Sequence, residues 1–202
     1  MYYPAERRDT QLLPHDPLKA LIAPRPVGWV STISASGQVN LAPYSFFNAF
    51  STRPMILGFS SEGAKDSATF ARETGEFVWN MASFDLRLAM NATSAPLPRG
   101  ISEFDHAGLT AAPSMRVRPP RVGESPASLE CKVTDIIDLK SISGERVNCF
   151  LVLGEVVGVH IQDQFIQNGR VMTAAMQPLA RCGYMDYAVA NATFELERPP
   201  GG

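Results

Sequence analysis

Short runs of alternating apolar and polar residues recur along the chain. From Pro26 to Ser34 the side chains alternate with a period of two, which is typical of a β-strand. A second extended run covers residues 39–50, and a third, at residues 55–60, follows Arg53-Pro54. Tight turns separate these runs. The first third of the chain therefore predicts a meander of short strands.

A short helix is predicted after the third run. Asp66 or Ser67 is suited to cap its start, and Gly75 is suited to end it in the left-handed conformation. Residues 76–83 predict another strand, and residues 85–90 predict a second short helix. Helices are therefore expected as insertions between strands.

The second half of the chain contains the two longest predicted strands. They cover residues 128–139 and 147–162, and a glycine-containing loop at 141–145 predicts a hairpin between them. Before them, residues 94–126 contain six prolines, too many for a central strand or a continuous helix. Residues 1–25 are an irregular lead-in. Six or seven strands with few helices favour an antiparallel barrel or sandwich.

Composition narrows the functional classes. The 202 residues include 20 acidic and 18 basic side chains, for a net charge of −2. A single domain over residues 1–202 is expected, and this balance gives no reason to expect nucleic acid or an anionic membrane as a partner. No secretory signal and no apolar run of about 20 residues is evident, which predicts a cytoplasmic protein.

Cysteine and histidine spacing does not predict a metal site or a disulfide framework. Cys131, Cys149 and Cys182 are odd in number and far apart, so reduced, buried thiols are expected. The three histidines do not cluster in the sequence, and the common nucleotide-binding glycine motifs are missing. Any binding chemistry must come from other groups.

Two polar segments interrupt the strands. The first places Ser60, Ser61, Lys65, Asp66 and Ser67 at the start of the predicted helix. Backbone N–H groups, hydroxyls and an ammonium group at a helix start favour phosphate, although simple capping with a solvated lysine explains the same spacing.

The second segment contains Ser31, Thr32, Ser45 and Asn48. These side chains are suited to hydrogen-bond a flat heteroaromatic ring, or they simply face solvent on a half-buried strand pair. The residues alone leave both alternatives open.

A specific family resemblance spans about residues 21–187. It includes the runs Pro24-Arg25-Pro26-Val27-Gly28-Trp29-Val30-Ser31-Thr32, Asn40-Leu41-Ala42-Pro43-Tyr44-Ser45-Phe46-Phe47-Asn48, Lys65-Asp66-Ser67, Gly75-Glu76-Phe77-Val78-Trp79-Asn80 and Leu179-Ala180-Arg181-Cys182-Gly183. In this order they resemble the flavin reductase-like, FMN-binding split-barrel family. The chain departs from the family at Ser67 and Phe70, where members often have threonine and asparagine.

The resemblance implies a mainly β fold, a six-stranded antiparallel Greek-key split β-barrel with a few short helices. It also implies a homodimer that holds FMN near the subunit interface. The flavin ring would be lined by Ser31, Thr32, the backbone of Ser45, Phe46 and Phe47, and the side chain of Asn48. The ribityl phosphate would be surrounded by Ser60, Ser61, Lys65, Asp66 and Ser67.

The implied activity is transfer of a hydride from NADH or NADPH to the flavin. Electrons would then pass to free flavin, a small acceptor or a partner monooxygenase. His160 and Arg181 are candidates to contact the second substrate or the partner subunit's flavin. Two alternatives stay open: an FMN-binding electron carrier without nicotinamide chemistry, and a barrel that has lost flavin and binds a partner.

Overall fold

The computed structural model describes residues 1–199 and is mainly β. Its strands are β1 (Arg25–Pro26), β2 (Gly28–Ile33), β3 (Val39–Tyr44), β4 (Phe47–Thr52), β5 (Met55–Glu62), β6 (Glu76–Asn80), β7 (Ala111–Ala112), β8 (Arg121–Val122), β9 (Ala127–Lys140), β10 (Arg146–Ile161), β11 (Ile166–Gln167), β12 (Arg170–Val171), β13 (Leu179–Arg181) and β14 (Tyr187–Val189). Its helices are α1 (Leu18–Leu21), α2 (Asp66–Thr74), α3 (Arg87–Ala92), α4 (Glu103–Ala107) and α5 (Thr173–Met176), with 3₁₀ turns at Ala5–Arg7 and Asp163–Phe165.

One antiparallel sheet of seven strands organises the fold, in the order β3-β2-β6-β9-β10-β5-β4. Its outer strands β3 and β4 are consecutive in the chain and are joined by only two residues. Seven flat strands would separate the outer strands by roughly 29 Å, whereas this connection reaches about 11 Å at most. The sheet must therefore curl until its two edges meet. Because β3 and β4 do not pair with each other, the barrel is split.

The mainly β, antiparallel prediction is confirmed, with one difference in strand number. Residues 39–50, expected as one extended run, form β3 and β4 on opposite edges of the sheet. Pro43 lacks a backbone N–H group, and the chain turns at Ser45 and Phe46, so a single continuous strand is interrupted there. The sheet consequently has seven strands rather than six.

The core has two layers because β2 is buried on both faces. Val30 packs inside the barrel with Phe59, Phe77 and Val152. Trp29 faces the other way and packs with a second group of apolar residues that includes Leu41, Met90, Phe104, Val122 and Leu179. The proline-rich segment 94–126, which contains α4, β7 and β8, therefore covers the outer face of the barrel.

The local predictions for helices and loops hold with small shifts. Helix α2 ends where Gly75 adopts a left-handed φ of 71°. Helix α3 begins two residues later than expected, at Arg87. The hairpin at 141–145 joins β9 and β10 as predicted.

The structure of residues 1–199 bears on two further points, the state of the three cysteines and the presence of membrane-spanning helices. All three cysteines are free thiols, but only Cys131 is buried, and Cys149 and Cys182 are partly exposed. The expectation that all three are buried is therefore wrong. Among residues 1–199, no helix is both long and apolar enough to cross a membrane.

Candidate functional site

A groove lies where the edges of the split barrel meet, beside the connection between β3 and β4. It has a volume of about 900 Å³ and adjoins a smaller pocket of about 210 Å³. The residues that line both parts are Lys19, Pro43, Tyr44, Ser45, Phe46 and Glu62. The connection between β3 and β4, which consists of Ser45 and Phe46, therefore forms a border shared by both parts.

The smaller pocket combines hydroxyl groups with two ammonium groups. Besides the shared residues, it is lined by Ser60, Lys65 and Cys149, and the Ser60 Oγ lies 3.0 Å from the Cys149 Sγ. Lys65 precedes α2 in an extended conformation, and no side chain caps the first turn of this helix. Uncapped N–H groups and nearby lysines favour an anion. Glu62 is the one carboxylate among the lining residues.

Tyr44 is held at the border of the two parts. Its ring centroid lies 4.8 Å from that of Phe59. Burial raises the pKa of the Tyr44 hydroxyl, more than the nearby Ser67 and Ser61 side chains lower it. Tyr44 therefore stays protonated across the neutral range and acts as a rigid wall of the groove.

The side chains of Ser31 and Thr32 do not reach the groove. Both are fully buried. The Ser31 hydroxyl donates to the carbonyl of Pro120, at 2.5 Å, and Thr32 accepts a hydrogen bond from the Asn40 amide at 3.4 Å. These side chains are enclosed because α2 and the proline-rich segment cover both faces of β2, and their contact with a flavin ring stays a prediction that this burial does not favour.

Three of the five residues expected around a phosphate are turned inward or aside. Ser61 and Ser67 are buried, and Ser67 accepts a hydrogen bond from Asn40. Asp66 instead accepts a 2.5 Å hydrogen bond from Arg99, away from the groove. The expected cap of α2 by Asp66 or Ser67 is also wrong, because the helix begins after Lys65. Ser60 and Lys65 are the members of this set that line the pocket.

Phe47 and Asn48 lie just beyond the groove on β4. The Phe47 ring stacks on Trp79, with centroids 5.8 Å apart, so its side chain packs into the barrel. Gly28 is required beneath it, because an added Cβ would lie 2.6 Å from the Phe47 ring. Asn48 is exposed, and its Oδ1 accepts the N–H of Ala49. Its NH₂ group has no partner among residues 1–199 and is available to a ligand.

His160 lies at the far end of β10 from the groove. It lies eleven residue steps along β10 from Cys149, which corresponds to about 36 Å measured along the strand. Its Nε2 is 2.5 Å from the Glu130 Oε1. Glu130 is fully buried and also accepts backbone N–H groups from residues 115–117. His160 therefore does not line the groove of its own chain, and its contact with a second substrate or with the partner subunit's flavin stays a prediction.

Arg181 does line the larger part of the groove. Its guanidinium lies 4.4 Å from the ring centroid of Tyr187 and donates to the carbonyl of Tyr184. Arg25, which is buried, donates to the carbonyls of Lys19 and Cys182, at 2.6 and 3.0 Å. Arg25 was part of the recognised sequence pattern, but only its contacts reveal that it joins the two ends of the chain.

Comparison with known proteins agrees with this architecture. Residues 21–177 match the family model for the flavin reductase like domain. An uncharacterized protein of Halalkalibacterium halodurans is 38% identical over 183 residues, which cover 88% of this chain and 87% of that protein.

Solved structures extend the similarity to nearly the whole chain. Nitrilotriacetate monooxygenase component B from Bacillus cereus has a TM-score of 0.87 and 30% identity, covering 97% of this chain and 98% of that one. Pseudomonas fluorescens 2-nitrobenzoate 2-nitroreductase has a TM-score of 0.84 and 25% identity, covering 100% and 97%. The chain belongs to the family of the flavin reductase like domain.

Proposed function

We propose that the protein binds FMN in this groove and acts as an oxidoreductase supplied by NADH or NADPH. The observation that carries the proposal is the continuity between a small cationic pocket and a much larger groove. FMN has the matching shape, with a phosphate at one end and a broad planar ring at the other. The volume of the groove lies at the upper end of the range for ligand pockets, about 300–1,000 Å³.

The residues of the smaller pocket would hold the phosphate. Lys65 supplies a positive charge, and Ser45 and Ser60 supply hydroxyl donors. The residues Pro43 to Phe46 would border the ring, with the protonated Tyr44 as a fixed wall. The NH₂ group of Asn48 is available to donate to a polar edge of the ring. FMN, when bound, supplies the hydride-accepting and electron-passing chemistry, so no side-chain nucleophile is needed.

Similar structures support an oxidoreductase. The relatives include a monooxygenase component and a nitroreductase, and flavoredoxin of Desulfovibrio vulgaris shares the fold. We propose transfer onward to free flavin, a small acceptor or a partner monooxygenase. The homodimer and the cytoplasmic location stay predictions.

The decisive experiment is an anaerobic absorbance titration of the purified protein with FMN, followed by NADH and then NADPH. Rapid loss of the flavin absorbance band is the expected result, and its rates rank the two donors. Flavin that binds but keeps its absorbance would favour an electron carrier without nicotinamide chemistry. Failure to bind FMN would contradict the whole proposal.

Lys65→Ala is expected to weaken FMN binding by about 1–3 kcal/mol, the loss for a hydrogen bond to a charged group. Fluorescence titration of FMN gives the dissociation constant. Lys132→Ala is the matched control, because Lys132 is exposed on β9 and does not line the groove. Equal dissociation constants for the Lys65 variant and the wild type would remove Lys65 from the phosphate site.

Asn48→Leu is expected to slow flavin reduction more than it weakens FMN binding. The substitution removes a donor that would stabilise negative charge developing on the ring. Stopped-flow reduction by NADH and an FMN titration measure the two effects separately. Equal losses in rate and affinity would show that Asn48 only contributes to binding.

A further inference from the structure

A short segment before the first strand contributes to the smaller pocket. We call residues 17–22 the α1 strap, because they contain α1 and lead towards β1. Lys19 is the one charged residue of the strap, and it lines both the smaller pocket and the larger groove. Ser60 and Cys149, by contrast, line the smaller pocket from the paired strands β5 and β10. The strap therefore brings a cation to this pocket from outside the barrel.

The two lysines of the smaller pocket are not paired with a carboxylate. The ion pairs formed within residues 1–199 include neither Lys19 nor Lys65, and they do not include Glu62, which also lines this pocket. The lining therefore has two ammonium groups and one carboxylate. A phosphate monoester carries a charge of about −1.5 to −2 at pH 7, and charge-assisted hydrogen bonds from two separate elements would hold it firmly.

Burial of apolar side chains does not hold the strap in place. Every residue of α1 is exposed, including Leu18 at 53% and Leu21 at 74%. Helices shorter than about 12 residues are also marginal in water on their own. The position of the strap must therefore come from specific contacts with the rest of the chain.

Arg25 supplies the first of these contacts. Its buried guanidinium donates to the carbonyls of Lys19, at 2.6 Å, and of Ile22, and it also donates to the carbonyl of Cys182 at 3.0 Å. It lies 5.8 Å from the ring centroid of Phe46, which lines the smaller pocket. One side chain therefore ties the strap to the turn after β13 and to the connection between β3 and β4.

Gly183 supplies the second contact. A Cβ added at this position would lie 2.6 Å from the Cβ and 2.8 Å from the Cα of Ala20. The backbone of the strap therefore packs directly against the turn after β13, where only glycine leaves enough room. Any side chain at residue 183 would displace the strap.

We propose that Lys19 binds the phosphate of FMN together with Lys65, and that Arg25 is a positioning residue that keeps Lys19 at the pocket. By accepting the guanidinium, the Lys19 carbonyl fixes the backbone from which the ammonium group reaches the phosphate. Gly183 allows the strap to pack closely enough for this. The inference rests on the proposed function, since it assigns a second cation and its support to the same phosphate site.

The ratio of the dissociation constants of riboflavin and FMN tests the role of Lys19, because riboflavin has the same ring and no phosphate. Fluorescence titration of the purified protein gives both constants. Lys19→Ala is expected to weaken FMN binding about tenfold, as loss of one hydrogen bond to a charged group would, and to leave riboflavin binding nearly unchanged. Lys140→Ala, at the exposed end of β9, is the matched control and should keep the wild-type ratio.

Arg25→Lys and Gly183→Ala test the positioning role. Lysine keeps the buried charge but lacks the planar fork of donors, whereas the added methyl group displaces the strap without removing a charge. We expect each substitution to lower the preference for FMN over riboflavin several-fold in the wild type and to have no further effect on it in the Lys19→Ala variant. General loss of structure would weaken both flavins alike and leave the ratio unchanged.

The outcomes separate this inference from the proposed function. An unchanged ratio in Lys19→Ala would overturn the inference, while FMN binding and the effect of Lys65→Ala would still support the proposed function. If Arg25→Lys and Gly183→Ala leave the ratio unchanged, or lower it equally with and without Lys19, the positioning role is wrong. If the wild type does not bind FMN, the proposed function fails, and the inference fails with it.

Discussion

Replacing Glu130 with alanine is expected to lower the free energy of unfolding by about 3–5 kcal/mol, because each buried donor that loses its acceptor costs about 1–3 kcal/mol. The Glu130 carboxylate is fully buried and accepts the N–H groups of Met115, Arg116 and Val117 at 2.8, 2.6 and 3.1 Å. It also contacts His160. The substitution leaves these donors without their acceptor. Urea unfolding followed by tryptophan fluorescence measures the loss.

Glu155→Ala is the matched control for this experiment. Glu155 is exposed on the neighbouring strand β10, where surface substitutions typically change stability by less than about 0.5 kcal/mol. Glu130→Gln keeps the shape of the side chain but removes its charge, and an intermediate loss is expected. If Glu130→Ala and Glu155→Ala unfold at the same urea concentration, the carboxylate does not anchor residues 115–117.

The same carboxylate should make the protein sensitive to acid. Burial raises the pKa of Glu130, but hydrogen bonds from the Met115 N–H group, His160 and the Arg116 N–H group outweigh it and lower the net pKa below its usual 4.5. The unfolded state therefore binds the proton more readily. The stabilisation is complete above pH 4.5 and disappears as the pH falls through the lower folded pKa. Glu130→Gln should flatten this acid dependence.

Phe77→Ala is expected to lower the free energy of unfolding by about 3–5 kcal/mol, as large-to-small changes of buried aromatic residues do. Phe77 is fully buried on β6, and its ring meets that of Phe59 edge-on at 5.4 Å. Gly154 fits against the Phe77 ring, so the ring is also packed from β10. Denaturant unfolding gives the loss in stability.

Phe194→Ala removes the same side chain from an exposed position and serves as the control. Phe194 is 83% exposed, so its loss should change the free energy of unfolding by no more than about 0.5 kcal/mol. A similar loss for both variants would mean that the interior of the barrel repacks around the missing Phe77 ring.

Local side-chain patterns in the sequence were sufficient to predict most of the strands and helices. The alternation of side chains predicted β2, and the glycine-containing loop predicted the hairpin between β9 and β10. Gly75 predicted the end of α2, because glycine adopts the left-handed conformation without support from any distant residue. The ordered motifs also predicted the family. These features depend on neighbours in the sequence, so a single sequence contains them.

The candidate site was only partly accessible to sequence reasoning. Lys65, Ser60, Ser45 and Phe46 were predicted, and they line the groove. Ser31 was predicted as well, but its hydroxyl is used by Pro120, which is 89 residues away in the chain. A strand's period shows which side chains share a face, whereas burial of that face depends on what packs against it.

The sequence by itself therefore determined the strands, the turns, the family and the cationic segment before α2. Only the tertiary structure decided three other features. It placed β3 and β4 on opposite edges that meet at the groove, it paired Glu130 with His160 across two strands, and it joined the ends of the chain through Arg25. Each depends on contacts between distant residues, and such contacts form only when the whole sheet has curled and its faces are covered.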